Sequence, residues 1–309
     1  MIWNVILLVT GFILLMKGAD LFVDQSAKIA MKFNVPQIVI GLTIVAFGTS
    51  APEAAVSLTA AFKGNVGITV GNILGSNIMN VWLILGVASL FSDLHIQRTT
   101  VKYEMPLVIG VSIVLAMIGV YGHMLGRIDG IILWLIFIGF FIYLLRLSKT
   151  QDNEDEEELT EKDTMPRLVF LTILGMAGIV FGSRLTVNGA TGIATVLGIS
   201  DRIIGLTIVA FGTSLPELVT SVLAARKGKA DIAVGNIIGS NLFNILFVIG
   251  SVSLIHPIPF DEAFYTDAMV CIFAVVLLFL LTVRKKELDR GAGVIMLACY
   301  VVYFANLVS

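Results

Sequence analysis

The chain has 309 residues, 57% of them hydrophobic and 14% charged, with a mean hydropathy of +0.97. Soluble domains carry roughly 25% charged residues, so the composition excludes a water-soluble enzyme or nucleic-acid-binding module and describes an all-α polytopic membrane protein. The formal net charge of −2 says nothing about partners, because the charges fall in the connections between apolar runs.

A helix needs about 20 apolar residues to cross a bilayer, and ten such spans are predicted in chain order. The first, 2–26, has no basic segment ahead of it and no small-residue cleavage site, so it reads as a span and not as a signal peptide. Its Lys17, Asp20 and Asp24, with Arg184 in the sixth span, are read as a polar gating face or local ion pairs. The second span, 37–62, contains IGLTIVAFGTS at 40–50, followed by Pro52 and Glu53. Taken as a helix, it places Ala46, Thr49, Ser50 and Glu53 at i, i+3, i+4 and i+7, on one face. Pro52 frees the carbonyl of Gly48, four residues earlier, and a cation is the expected receiver at membrane depth. The third span, 68–91, holds GNILGSNIMN at 71–80, where Asn72, Ser76 and Asn80 step by four along one face. Spans four and five, 104–122 and 129–147, complete a first half, 1–147.

An acidic linker comes next, at 148–166, expected to be solvated. The second half, 167–309, opens with span six at 167–192. Span seven, 202–226, repeats IGLTIVAFGTS at 204–214 and then gives Pro216 and Glu217, with Ala210, Thr213 and Ser214 on the glutamate's face. Span eight, 231–254, repeats the second motif as GNIIGSNLFN at 235–244, with the stripe Asn236, Ser240 and Asn244. Spans nine and ten are placed at 263–283 and 291–308. The offset between copies is 164 residues, gapless from Gly18 and Gly182 to Gly86 and Gly250. Cys271 and Cys299 read as inert core thiols, and His95, His123 and His256 as residues of span ends.

Five spans per half is an odd number, so the second copy enters the membrane from the opposite side. The chain therefore reads as ten transmembrane helices in two inverted five-helix repeats, a layout that places binding sites near the bilayer midplane. Lys and Arg mark cytoplasmic connections. With the N-terminus outside, the inner connections hold fifteen of them, at 28, 32, 98, 102, 146, 149, 162, 167, 226, 227, 229, 284, 285, 286 and 290. The outer ones hold only Lys63, Arg127 and Arg202. The expected location is the plasma (inner) membrane, multi-pass, with the linker cytoplasmic.

The repeated side chains offer carboxylates, hydroxyls, amide oxygens and freed carbonyls, all hard oxygen ligands, with no thiolate or imidazole. That set suits Ca²⁺, Na⁺ or protons and is poor for Zn²⁺ or Cu. A site with two buried carboxylates must stay filled to be stable, which is the physical basis of exchange. Without an HExxH motif or a buried Ser/His pair, the chain does not read as an enzyme.

GTSAPE at 48–53 and GTSLPE at 212–217, with the two GN-x-x-GSN motifs, resemble the alpha-repeats of the sodium/calcium exchanger family, in its compact prokaryotic form. The likeness covers about 70 residues in each half. It implies Glu53 and Glu217 as central Ca²⁺ carboxylates, assisted by the Thr49 and Thr213 carbonyls. It implies flanking Na⁺ sites, one at Ala46, Thr49, Ser50, Glu53 and Ser76, the other at Ala210, Thr213, Ser214, Glu217 and Ser240. Asn80 and Asn244 would face the central pair, and spans one and six would slide against the rest. Where some relatives carry an Asp tied to K⁺ use, this chain has Asn244. The expectation is therefore an electrogenic, K⁺-independent Na⁺/Ca²⁺ antiporter working as a monomer by alternating access. Ca²⁺ and Na⁺ are its substrates and the lipid bilayer its surroundings, with no cofactor and no nucleic acid. An H⁺/Ca²⁺ antiporter on the same scaffold, or a cation channel with an acidic filter, remain the alternatives.

Overall fold

The computed structural model describes residues 1–64, 66–148, 159–160, 163–198 and 210–308. Among the described residues, eight helices are long and apolar enough to cross a bilayer on their own: α1 (Ile2–Lys32), α4 (Thr69–Phe91), α5 (Thr100–Gly122), α6 (Arg127–Leu147), α7 (Met165–Val196), α10 (Ala230–Ile255), α11 (Ala263–Thr282) and α12 (Arg290–Leu307). A ninth passage is broken into α2 (Gln37–Thr49) and α3 (Ala51–Phe62), bent by 49° at Ser50. The predicted seventh span, 202–226, is described from Ala210 onward, as α8 (Ala210–Thr213) and α9 (Leu215–Arg226); its start lies outside the described residues. The linker likewise falls outside them except at 148, 159–160 and 163–166.

The break at Ser50 has its cause in the sequence. Pro52 sits in the first turn of α3, where a missing N–H costs nothing but the preceding helix cannot continue straight through. Ser50 takes φ −82° and ψ 4°, and Ser214, before Pro216, takes φ −91° and ψ 5°. The same chemistry thus produces the same break twice.

The inverted relation between the halves is visible in packing. α1 and its copy α7 lie against each other along their whole length, running antiparallel. Leu8 meets Gly189, Leu15 meets Gly182, and Gly18 meets Gly175 and Gly178. A Cβ on Gly182 would collide with the Leu15 backbone nitrogen, and one on Gly18 would stand 2.7 Å from that of Ile179, so only glycine permits this approach. Lipid supplies no hydrophobic drive between helices, and close backbone contact is what replaces it. Apolar side chains such as Phe12, Leu135, Phe170 and Val301 point outward instead.

α4 and α10, the second-motif helices, occupy the centre, and α10 is buried almost throughout. Each contains a π-helical turn, at Met79–Leu85 and Phe243–Ile249, which helical periodicity does not reveal. Two short antiparallel ribbons, also unforeseen in an all-α reading, tie the halves at their edges. β1 (Leu94–His95) pairs with β4 (Glu287–Leu288), and β2 (Met124–Leu125) with β3 (Ile258–Pro259). Each ribbon joins two connections that the Lys/Arg count puts on one face, which agrees with the alternation of spans. Lys28 and Asp163 meet at 3.0 Å on the Lys/Arg-rich face as well. The Thr160 N–H and hydroxyl, with the Lys28 ammonium, hold the Asp163 carboxyl well below the usual carboxylate range.

Candidate cation site

The two breaks bring Glu53 and Glu217 together at the first turns of α3 and α9, both 1% exposed. A helix N-terminus favours a carboxylate. The hydrogen bonds around them cross between halves. Ser50 Oγ donates to Glu217 Oε1 at 2.9 Å, and its copy Ser214 donates to Glu53 Oε1 at 3.3 Å. The Ser214 hydroxyl also lies 3.5 Å from Ser76 Oγ. The flanking groups implied by resemblance were each drawn from one half. In the structure the serines are exchanged, so that Ser76, Ser214 and Glu53 stand together while Ser50 stands with Glu217.

The second motif forms the other wall. Asn77 Nδ2 donates to the Asn241 carbonyl at 3.3 Å, and Asn241 Nδ2 donates to the Asn77 carbonyl at 3.3 Å. Asn80 Nδ2 donates to Asn241 Oδ1 and Asn244 Nδ2 to Asn77 Oδ1, each at 3.0 Å. These are mutual pairs about a pseudo-two-fold axis, since 77 and 241, like 80 and 244, differ by the repeat offset. Asn77 and Asn241 escaped the reading of the stripes, which stepped by four through 72, 76 and 80. The signal was present all the same, because both asparagines recur inside the repeated GSN. They turn the neighbouring amides so that the Asn80 and Asn244 oxygens are left free.

Five buried side-chain oxygens in this group make no hydrogen bond: Glu53 Oε2, Glu217 Oε2, Asn80 Oδ1, Asn244 Oδ1 and Ser240 Oγ. An unsatisfied buried polar group costs about 1–3 kcal/mol, and more when charged. Four of these are acceptors only and the fifth, the Ser240 hydroxyl, can turn its lone pairs the same way, so the set is one that a cation compensates. Thr49 is 0% exposed, and its hydroxyl lies 3.1 Å from the Val45 carbonyl and 2.9 Å from Asn236 Oδ1. Ala46 is also fully buried. Thr213 lies in α8 beside the site, whereas the Ala210 side chain lies outside the described residues. Asn72 and Asn236 turn away to Ser57 and Ser221 at 3.1 and 2.9 Å, holding α3 to α4 and α9 to α10.

One sequence expectation meets a different answer and another is met. The carbonyl freed by Pro216, that of Gly212, receives the Ser183 hydroxyl of α7 at 2.9 Å, so a protein donor takes the place expected for a cation. Asp20 and Asp24 pair with Lys227 at 2.6 and 2.8 Å, and Asp24 also with Lys229 at 3.3 Å. They form local ion pairs at the end of α1, away from the carboxylate pair. A cavity of about 890 Å³ approaches the site from one side, reaching Asn72 and Ser76 of α4 between α7, α11 and α12.

The sodium/calcium exchanger protein family profile matches residues 3–146 and 167–308. The inner membrane protein YrbG of Escherichia coli is 36% identical over 312 residues, covering 97% of this chain and 95% of that protein. The sodium/calcium exchanger MaX1 of Methanosarcina acetivorans is 33% identical over 351 residues, covering 98% of both. Among solved structures, the sodium-calcium exchanger NCX_Mj soaked with zero Na⁺ and Ca²⁺ superposes with a TM-score of 0.87 at 35% identity, covering 99% of each chain.

Proposed function

The chain belongs to the sodium/calcium exchanger family, and from that premise we propose that it exchanges Na⁺ for Ca²⁺ across a prokaryotic plasma membrane by alternating access. Glu53 and Glu217 are the central Ca²⁺ carboxylates, with the Thr49 and Thr213 carbonyls beside them. Ca²⁺ takes six to eight oxygen ligands in flexible geometry, and two carboxylates neutralise its charge. Na⁺ is held at the flanking hydroxyl groups, where Ser76 and Ser214 adjoin Glu53 and where Ser50 adjoins Glu217. Ser240, Ala46 and Ala210 complete these places. Asn80 and Asn244 face the central pair.

The observation that carries this reading is the set of five buried, unpartnered oxygens shared by both copies of the motif. An empty site leaves two carboxylates uncompensated at membrane depth, where a charge costs roughly 2.5–3.5 kcal/mol on insertion scales. Passage through the empty state is therefore unfavourable, and counter-ions trade places. Asn244 brings an amide and no extra charge, which supports K⁺-independence. More than two Na⁺ per Ca²⁺ makes the exchange electrogenic.

The Lys/Arg distribution supports an N-terminus outside and a cytoplasmic linker. In that orientation the cavity lies on the outer side, since it is lined by the starts of α4 and α11 and the ends of α7 and α12. The glycine-seamed α1/α7 pair is the element that slides, and one monomer contains every part required.

The test is Ca²⁺ uptake into proteoliposomes loaded with Na⁺, against vesicles holding choline with and without a pH gradient. Uptake that needs internal Na⁺, needs no K⁺ and disappears in Glu53→Gln is the expected result. Uptake driven by the pH gradient alone replaces Na⁺ with H⁺ as the coupling ion, and uptake without any counter-ion makes the protein a channel.

A further inference from the structure

The cavity that reaches Ser76 is bounded mainly by side chains of low polarity. Its walls are largely apolar or aromatic, including Met79, Phe211, Phe264 and Phe304. Among the described residues lining it, one carries a charge: Asp267, in the second turn of α11. Asp267 belongs to neither repeated motif and lies beyond the gapless stretch of the repeat. Its Oδ1 accepts a hydrogen bond from Tyr303 of α12 at 2.9 Å, which fixes the carboxylate on the cavity wall.

A carboxylate paired with a tyrosine is also a means of stapling two helices. The protein has such a staple elsewhere, where the Tyr143 hydroxyl of α6 donates to Glu104 of α5. The two pairs differ in surroundings. Glu104 is 0% exposed and sealed among helices, whereas Asp267 is half-buried and borders the cavity that also borders Ser76. From Ser76 a hydroxyl path continues through Ser214 to Glu53, by contacts of 3.5 and 3.3 Å.

We propose that Asp267 is a cation-positioning residue: it gathers cations in the cavity and delivers them to the Ser76 side of the site, favouring divalent over monovalent ions. The inference rests on the exchange reading above and adds a residue outside the duplicated motifs. Its physics is that of a single charge on the wall of a cavity of low polarity, which raises the local concentration of counter-ions and their association rate. The enrichment factor for a divalent ion is the square of that for a monovalent ion, because the same potential acts on twice the charge. At a solvent-screened separation of a few ångströms this amounts to about tenfold for Ca²⁺ and about threefold for Na⁺.

The test is the initial rate of Ca²⁺ uptake into proteoliposomes of the full chain at low ionic strength, for Asp267→Asn, Asp267→Glu and Tyr303→Phe. Asp267→Asn is expected to raise the KM for external Ca²⁺ about tenfold with the maximal rate unchanged, and to weaken competition by external Na⁺ about threefold. The shift should shrink as choline chloride is added, since salt screens a field reaching through water. Asp267→Glu should restore the wild-type KM, and Tyr303→Phe, which cuts the staple but keeps the charge, should stay near it. An unchanged KM in Asp267→Asn overturns the inference. So does a Tyr303→Phe variant that matches it, which leaves only a helix staple. Wild-type protein that takes up no Ca²⁺ against Na⁺ sinks the exchange reading by itself. The Asp267 inference is then decided by stopped-flow Ca²⁺ association to the purified protein, where a rate equal in wild type and Asp267→Asn refutes it.

Discussion

The centre of the molecule and the Lys/Arg-rich end of α1 treat the repeat in opposite ways. At the centre the principal contacts come in mirrored pairs: Ser50 to Glu217 and Ser214 to Glu53, Asn80 to Asn241 and Asn244 to Asn77. At the end of α1 the mirror is broken. Asp20 and Asp24 hold Lys227 and Lys229, but the copies of those four residues are Arg184, Asn188, Lys63 and Asn65. An attractive cluster on one face corresponds to two cations on the other. On the proposed alternating-access reading, symmetric chemistry makes the site indifferent to side, and asymmetric charge is what would decide which side stays closed.

The centre can be broken most severely. If the mutual contacts mean equal roles, Glu217→Gln is as damaging as Glu53→Gln. Removing one member of a buried charged set costs about 3–5 kcal/mol, so Ca²⁺ uptake should fall by more than about a hundredfold in either variant. A measured difference above about tenfold between the two would show that the pseudo-symmetry in structure is not a symmetry in function.

A smaller effect is expected one layer out. Asn241→Ala removes the acceptor of the Asn80 amide and the donor to the Asn77 carbonyl. Each buried group left unpaired costs about 1–3 kcal/mol. The protein should therefore melt at lower temperature in detergent, and the KM for Ca²⁺ should rise by roughly tenfold as the Asn80 oxygen loses its fixed direction. Asn77→Ala is its mirror and should behave alike; a melting temperature equal to wild type in both would remove these residues from the support of the site.

That layer also shows what a sequence carries and what it does not. The 164-residue offset, the inverted layout and the glutamates with their serines were legible, because each is a local pattern written twice. The break at Ser50 was legible as a proline effect. The exchange of serines between halves was not, since it depends on how α2–α3 meets α8–α9 in space. Asn77 and Asn241 were passed over because a step of four from Asn72 and Asn236 skips them, and the direction of Asn80 and Asn244 was hidden for a related reason. A stripe read at 3.6 residues per turn assumes a regular helix, and π-helical turns begin at Met79 and Phe243, directly before Asn80 and Asn244. Such a turn rotates the residues beyond it and leaves no mark in periodicity. Asp267 went unremarked because it lies outside the repeated motifs, and Ser183 because its copy is Ala19.

The smallest effect belongs to the broken mirror. Lys227 is 25% exposed, and Asp20 and Asp24 are 49% and 38% exposed, so water screens their attraction. Exposed ion pairs contribute about 0.2–1 kcal/mol each. Lys227→Gln removes two such pairs, and at about 0.5 kcal/mol each it shifts a two-state equilibrium by roughly fivefold. Geometry sets the direction. The cluster ties the Lys/Arg-rich end of α1 to the loop after α9, so if α1 slides as proposed, the cluster favours the state closed on that face. Weakening it raises the population open to that face. Apparent affinity scales with the fraction of protein in the competent state, so Ca²⁺ should bind more tightly from the inner side and more weakly from the outer side. A change in the site's own chemistry would alter both sides in the same sense. Measuring KM separately on the two faces of oriented vesicles distinguishes the cases: opposite shifts confirm that the unduplicated charges set the resting state, and parallel shifts mean that Lys227 acts on the site itself.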